Sequence, residues 1–265
     1  MIKKAIISLA VLFLIVFNII DTMQAEQLQL TILLYHHILP AADNKAHVKN
    51  SLVISEESFK AQMEYLYKNQ YHSVTSNELR AFLYEKKPLP AKSVMITFDD
   101  GYMSNYMFAY PILKQYGFKA VLFAITGGIQ TKDQEYNPDM LDMLSWMQVA
   151  ASTDVFEYAS HTNALHAVAN GKTGLVSVPL AQAQDDFQYS QKRINNKQLF
   201  AFPLGQYNDQ LVEMLRNNGV DMAFTTNKGY VNQNSNPMLL NRVTVYSGFD
   251  LKTFESVVTC QYKYR

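Results

Sequence analysis

Cysteine is all but absent: Cys260 is the one cysteine in 265 residues. No intrachain disulfide can form, so a disulfide-stapled scaffold is excluded. Cys260 stands close to Val257 and Val258 and reads as a small apolar filler. Charge is also sparse. Charged residues make up 17% of the chain, and 23 Lys and Arg balance 23 Asp and Glu. Nucleic-acid binding needs a clustered basic face, so no nucleic-acid partner is expected. Internal repeats and low-complexity runs are absent as well. What remains is a chain with 48% hydrophobic residues, enough for a large core. Its length suits one α/β domain plus a targeting segment, or at most two small domains. The 17 Tyr and 15 Phe supply flat rings of the kind that stack on sugars, although for any single ring a core or surface role is the more common one.

The N-terminus has a layout of its own. Met1-Ile2-Lys3-Lys4 is a basic start, and Ala5 to Ile20 is apolar apart from Ser8 and Asn18. Polar residues follow from Asp21. This is the pattern of a signal peptide. Gln24-Ala25 offers a cleavage site, while Met23 is a poor small residue and leaves an uncleaved anchor open. Residues 1–25 are therefore read as signal peptide or membrane anchor, and residues 26–265 as the functional domain. Export without disulfides suits a Gram-positive extracellular surface, with association through the leader. A monomer is expected.

After the leader, short apolar runs alternate with amphipathic stretches. Strands are expected at Leu30–Tyr35, Ser93–Phe98, Ala120–Ile125, Val155–Ala159, Gln198–Phe202, Met222–Thr225 and Arg242–Tyr246. Helices are expected at Glu56–Asn69, Ser76–Glu85, Asn105–Tyr116, Leu141–Ala151, Leu180–Asn195, Asp209–Asn217 and Leu251–Val258. Such alternation implies parallel strands with crossover helices, and roughly seven units imply a barrel-like α/β domain. In such barrels chemistry gathers at the C-terminal ends of strands. Ala41–Asn50, Gly127–Pro138 and His166–Pro179 read as loops.

Four segments carry candidate chemistry. Val94 to Phe98 is an apolar strand that ends in Asp99-Asp100-Gly101. Two carboxylates at the end of a buried strand are costly without a metal or hydrogen bonds. On a regular strand they point to opposite faces, but a turn begun by Gly101 can gather them into one pocket. One then suits a metal and the other a base; a surface turn is the plainer alternative. The second segment, Ser160-His161-Thr162-Asn163-Ala164-Leu165-His166, also follows a strand. Histidines five apart would be separated by about 140° on a helix. In a loop they can join a carboxylate as a three-ligand site. The third is Tyr35-His36-His37, where one histidine is placed to act as a general acid. The fourth, Phe202-Pro203-Leu204-Gly205-Gln206-Tyr207, is a fixed turn able to wall a groove. His47 and His72 lack supporting context and read as surface or structural.

These segments resemble the polysaccharide deacetylase family, carbohydrate esterase family 4 or the NodB-homology domain. Thr97-Phe98-Asp99-Asp100-Gly101 is similar to its first motif, His161-Thr162 with His166 to its second, and Phe202-Pro203-Leu204-Gly205 to its third. The resemblance runs roughly from Thr31 to Val245. It implies a distorted (β/α)7 barrel. Three departures stand out. The histidines are five apart instead of four, Ala201 occupies the position where the family usually has an Arg, and no histidine follows His166. Together they resemble the branch acting on poly-β-1,6-N-acetylglucosamine (PNAG) of biofilms, which also opens on a Tyr-His pair.

The resemblance implies an enzyme in which Asp100, His161 and His166 hold a divalent ion. Zn2+ is the default, with Ni2+, Co2+ or Fe2+ as alternatives. It further implies Asp99 as general base, His36 as the acid replacing the missing late histidine, and the Tyr102 N–H as an oxyanion donor. Phe202, Pro203, Leu204 and Tyr207 would line the sugar groove, and Trp146 is placed either there or in packing. Ala201 in place of Arg implies a base without its usual partner and slow turnover. The expected partner is an N-acetylglucosamine polysaccharide. Three rivals stand beside this reading: a peptidoglycan or chitin deacetylase, an inactive glycan-binding surface protein, and a glycoside hydrolase. The last would need carboxylates flanking a bond at about 5–10 Å separation, which adjacent residues do not suit.

Overall fold

A computed structural model describes residues 29–196 and 198–263. The signal peptide or anchor read at residues 1–25 lies outside them. In chain order the strands are β1 (Thr31–Tyr35), β2 (His37–Leu39), β3 (Val53–Ser55), β4 (His72–Ser73), β5 (Ser93–Phe98), β6 (Ala120–Ala124), β7 (Phe156–Ser160), β8 (Val168–Ala169), β9 (Lys172–Thr173), β10 (Leu199–Ala201), β11 (Met222–Phe224) and β12 (Val243–Thr244). The helices are α1 (Glu56–Lys68), α2 (Ser76–Tyr84), α3 (Tyr110–Tyr116), α4 (Trp146–Ala151), α5 (Gly174–Ser177), α6 (Leu180–Ile194), α7 (Asp209–Asn217) and α8 (Leu251–Val258).

The main sheet runs β11-β10-β7-β6-β5-β1-β12, with β4 beside β5. Every ladder in it is parallel. It curls as a half-barrel, the α/β barrel class that strand and helix alternation predicts. Side chains alternate between its faces. Met95, Val121, Phe123, Ala159, Leu199, Ala201 and Phe224 pack together in one buried cluster. Val94, Ile96, Phe98, Leu122, Phe156 and Tyr158 pack in another, with residues of the helices. Tyr35, Phe98, Ser160 and Ala201 end their strands on one rim, and the residues after them form the site.

Local signals set the helix starts. The Ser55 hydroxyl accepts from Ser58 N at 3.0 Å. Thr75 with Glu78, and Ser145 with Gln148, form reciprocal capping boxes. The Ser145 box corrects one expectation: α4 begins at Trp146 and not at Leu141. The preceding residues are extended against the Asp-Asp-Gly turn, with Met103 N bonded to Asp142 O at 2.7 Å and Leu144 N to Gly101 O at 2.9 Å. A π-helical turn, Asn105–Ala109, opens the stretch expected as a single helix to Tyr116. The expected loop His166–Pro179 contains the β8–β9 hairpin and α5. Cys260, read as an apolar filler, is half-buried and lies 3.5 Å from the Thr31 hydroxyl.

Candidate active site

Asp99 extends the inward alternation of Met95 and Thr97 and is 2% exposed. A bare carboxylate there would be prohibitive. Arg242, itself fully buried, meets it: Nη1 donates to Oδ1 and Nη2 to Oδ2, each at 2.7 Å. The same guanidinium donates through Nε to Thr225 O at 2.8 Å and lies 5.5 Å from the Phe123 ring centroid. Burial pushes the Asp99 carboxyl upward, but Arg242 and His161 outweigh it and hold it below the ordinary range. This corrects the expectation of an unpartnered base. The guanidinium comes from the residue before β12, on the other side of β1, and not from position 201. Residue 201 contributes its backbone instead, because Ala201 O accepts from His161 Nδ1 at 2.8 Å.

That bond fixes the histidine tautomer. With Nδ1 carrying the proton, Nε2 presents a lone pair. Burial lowers the pKa of His161 against the opposing pull of Asp99 and Asp100. His161 Nε2 lies 3.6 Å from Asp100 Oδ1 and 3.9 Å from Asp99 Oδ2. His166 Nε2 lies 3.2 Å from the same Asp100 Oδ1. The two adjacent aspartates reach one pocket because the backbone turns left-handed at Asp100 (φ 73°) and Gly101 (φ 90°). Only glycine suits position 101, since a Cβ there would stand 3.1 Å from that of Ala124.

Ligand atoms of Asp100, His161 and His166 lie within 4.8 Å of one another. Asp100 Oδ1 is buried and makes no hydrogen bond; the nearby His166 nitrogen is not aligned to donate one. Burial raises the Asp100 carboxyl, and His166, His161 and His36 pull it further down, so it stays ionised. Two imidazoles and an orphaned carboxylate oxygen are a fitting donor set for a divalent ion.

The adjacent histidines separate cleanly. His36 is half-buried, lies close enough for its charge to act on both aspartates, and has a buried Nδ1 with no partner. His37 is 2% exposed. Its Nδ1 stands 2.7 Å from Ser104 Oγ, which also accepts from Ile38 N at 3.3 Å. Burial, reinforced by His47, lowers its pKa to about 4. His37 packs edge-on to Tyr102 at 5.0 Å, and its buried Nε2 also has no hydrogen-bond partner. Burial holds the Tyr102 phenol well above its usual range, and the nearby Asp100 charge adds to this. No acceptor meets the Tyr102 N–H among the described residues.

The groove residues divide in two. Phe202 and Pro203 are buried, with Phe202 packed against Phe200 at 5.4 Å between ring centroids. They are corrected from sugar contacts to supports of the turn. Leu204, in a left-handed conformation, is 48% exposed, and Tyr207 is 36% exposed. Trp146 stacks on the Arg193 guanidinium at 4.7 Å, a packing role. His72 pairs with Glu78 at 2.7 Å and His47 lies against His37, so both serve locally. Arg242 is the site residue that motif reading passes over. Its signal is a lone arginine leading into a buried strand.

The polysaccharide deacetylase family profile matches residues 86–223. YxkH of Bacillus subtilis, named for that same class, is 32% identical over 87% of this chain and 76% of its own length. The chain belongs to the polysaccharide deacetylase family. A poly-β-1,6-N-acetyl-D-glucosamine N-deacetylase of Staphylococcus aureus is 31% identical over 72% of this chain and 67% of that protein. The structure of IcaB from Ammonifex degensii aligns with a TM-score of 0.70 at 26% identity, covering 88% of this chain and 97% of that one. The Streptococcus pyogenes deacetylase PplD shares the fold, with a TM-score of 0.75 at 23% identity over 87% of this chain and 98% of that one. The distorted (β/α)7 barrel of this family is therefore the fold of this chain.

Proposed function

We propose that this deacetylase is metal-dependent and removes acetyl groups from poly-β-1,6-N-acetylglucosamine outside a Gram-positive cell, reached through the N-terminal leader. The observation that carries the chemistry is the joining of an Arg242-held Asp99 to the Asp100, His161 and His166 donor set. The substrate rests on the S. aureus relative and on the absence of any histidine after His166.

Asp100, His161 and His166 would hold the ion, with zinc first in expectation and nickel, cobalt or iron as alternatives. Bound there, such an ion supplies Lewis acidity toward the acetyl carbonyl and makes water a stronger acid. Asp99, ionised beside Arg242, takes a proton from the attacking water. The water oxygen adds to the carbonyl carbon, and the Tyr102 N–H donates to the oxygen that becomes negative. His36 then delivers a proton to the amide nitrogen as the C–N bond breaks. The products are acetate and a glucosamine amine. Leu204 and Tyr207 offer the exposed apolar surface beside the pocket.

The test is free-amine release from β-1,6 and β-1,4 N-acetylglucosamine oligomers by the leaderless protein, after loading with each metal in turn. Release from the β-1,6 series alone supports this substrate. Release from β-1,4 oligomers alone moves the assignment to a chitin or peptidoglycan substrate.

A further inference from the structure

The loop carrying both histidines is not held by the barrel strands alone. Helix α6 lies against it and presents three polar groups at positions 186, 190 and 193. Spacings of four and three residues put them on one helix face. Asp186 accepts from Asn163 N at 2.8 Å (Oδ1) and from Ala164 N at 2.7 Å (Oδ2). The Ser190 hydroxyl lies 2.7 Å from that of Ser160, which in turn accepts from Thr162 N at 3.2 Å. Arg193 donates to Thr126 O at 2.8 Å, and the Thr126 hydroxyl reaches Asn163 Oδ1 at 2.9 Å. The stripe therefore holds the backbone N–H groups of Thr162, Asn163 and Ala164, between His161 and His166.

The cost of this arrangement argues for a purpose. Asp186 is half-buried, and burial raises its carboxyl against the two N–H groups that lower it. A carboxylate so placed needs both donors. The loop needs the carboxylate in turn, since Thr162 already lies in the left-handed region at φ 74°. His161 has its own anchor at Ala201 O, whereas the His166 ring makes no hydrogen bond among the described residues and only approaches Asp100 Oδ1 at 3.2 Å. The position of His166 is thus set by the path of the four residues between the histidines.

We infer that Asp186 is a positioning residue for the donor set, fixing the wide five-residue histidine spacing so that His166 meets Asp100. This rests on the proposed metal role of Asp100, His161 and His166. Asp186 touches neither substrate nor the reacting atoms; it acts through the loop backbone.

The test uses the whole leaderless domain stripped of metal and titrated with Co2+, reading the dissociation constant and the visible d–d band. Wild type is compared with Asp186→Ala, Asp186→Asn, Asp186→Glu and the exposed neighbour Asp185→Asn. Apo-protein melting is recorded for each. Outer-shell partners commonly account for about 10–100-fold in metal affinity. Asp186→Ala is expected to weaken Co2+ binding by about that factor and to shift the band, with Asp186→Asn intermediate and Asp185→Asn unchanged. If Asp186→Ala does not fold, the near-isosteric Asp186→Asn carries the comparison. Lower melting temperatures with wild-type affinity and an unshifted band in the variants would reduce Asp186 to ordinary packing and overturn the inference. Failure of the wild type itself to bind Co2+ would overturn the metal reading beneath it, a result distinct from the first.

Discussion

Arg242 grips both carboxylate oxygens of Asp99 at 2.7 Å, across 143 residues of sequence and with both groups buried. The bidentate fork gives Asp99 a fixed orientation as well as a charge partner. Removing one member of a buried pair typically costs about 3–5 kcal/mol, because the other charge is left uncompensated. Arg242→Ala should therefore melt far below the wild type and lose amine release. Arg242→Lys keeps the charge but loses the fork, so it should recover part of the stability and little of the activity. Thermal melts and amine assays on the pair check this. Wild-type stability in Arg242→Ala would contradict it.

Asp99→Asn separates the base from the metal donors. Loss of a general base typically lowers the rate by about 10²–10⁴-fold. The donor set contains Asp100, His161 and His166, so metal content measured by mass spectrometry should stay at the wild-type level. An Asp99→Asn protein that loses its metal would place Asp99 among the ligands.

His36 and His37 should behave oppositely. His36→Ala should lose activity on the scale of a missing general acid, about 10²–10⁴-fold, with little change in melting. His37→Ala removes the partner of a buried hydroxyl, an effect worth about 1–3 kcal/mol. Its main deficit should be stability. Parallel melts and kinetics on the two variants decide this, and a reversal of the two patterns would transfer the acid role to His37.

His37 also predicts a pH dependence of folding. Its folded pKa is about 4, against an ordinary 6.5. It is packed against Tyr102 and His47, with Ser104 on Nδ1. Below pH 6.5 the unfolded chain binds a proton that the folded chain refuses, so stability falls as pH drops and the loss is complete below about 4. A shift of this size is worth about 3 kcal/mol. His37→Gln should flatten the part of the stability curve between pH 6.5 and 4. Denaturant titrations across that range test it, and an unchanged slope would rule His37 out as its source.

Much of this was legible from the chain because the relevant signals are local. An apolar run ending in Asp99-Asp100-Gly101 marks a strand end wherever it sits, and β5 spans Ser93–Phe98 as expected. Helices α7 and α8 also match their expected bounds, each opened by an Asn208 or Asp250 cap. The helix expected from Leu141 fails because its first residues answer to a distant turn, through Leu144 N and Gly101 O. Arg242 escaped for the same reason. Its partner is remote in sequence, and a motif that seeks the arginine near Pro203 cannot find it beside β12. Phe202 was misplaced because a ring at a strand end reads alike whether it faces a groove or the core. Asp186 gives no sequence signal at all, since it looks like any acid on an amphipathic helix.

The central claim is that one pocket joins an Arg242-held base to a divalent-ion site. The most direct measurement is amine release from N-acetylglucosamine oligomers by the wild type before chelation, after it, and after metal is restored. The account predicts activity that vanishes on chelation, returns with zinc or another divalent ion, and returns in neither Asp99→Asn nor His161→Ala. Amine release that persists in the fully chelated protein, or no release from either linkage after loading with every metal, would contradict it.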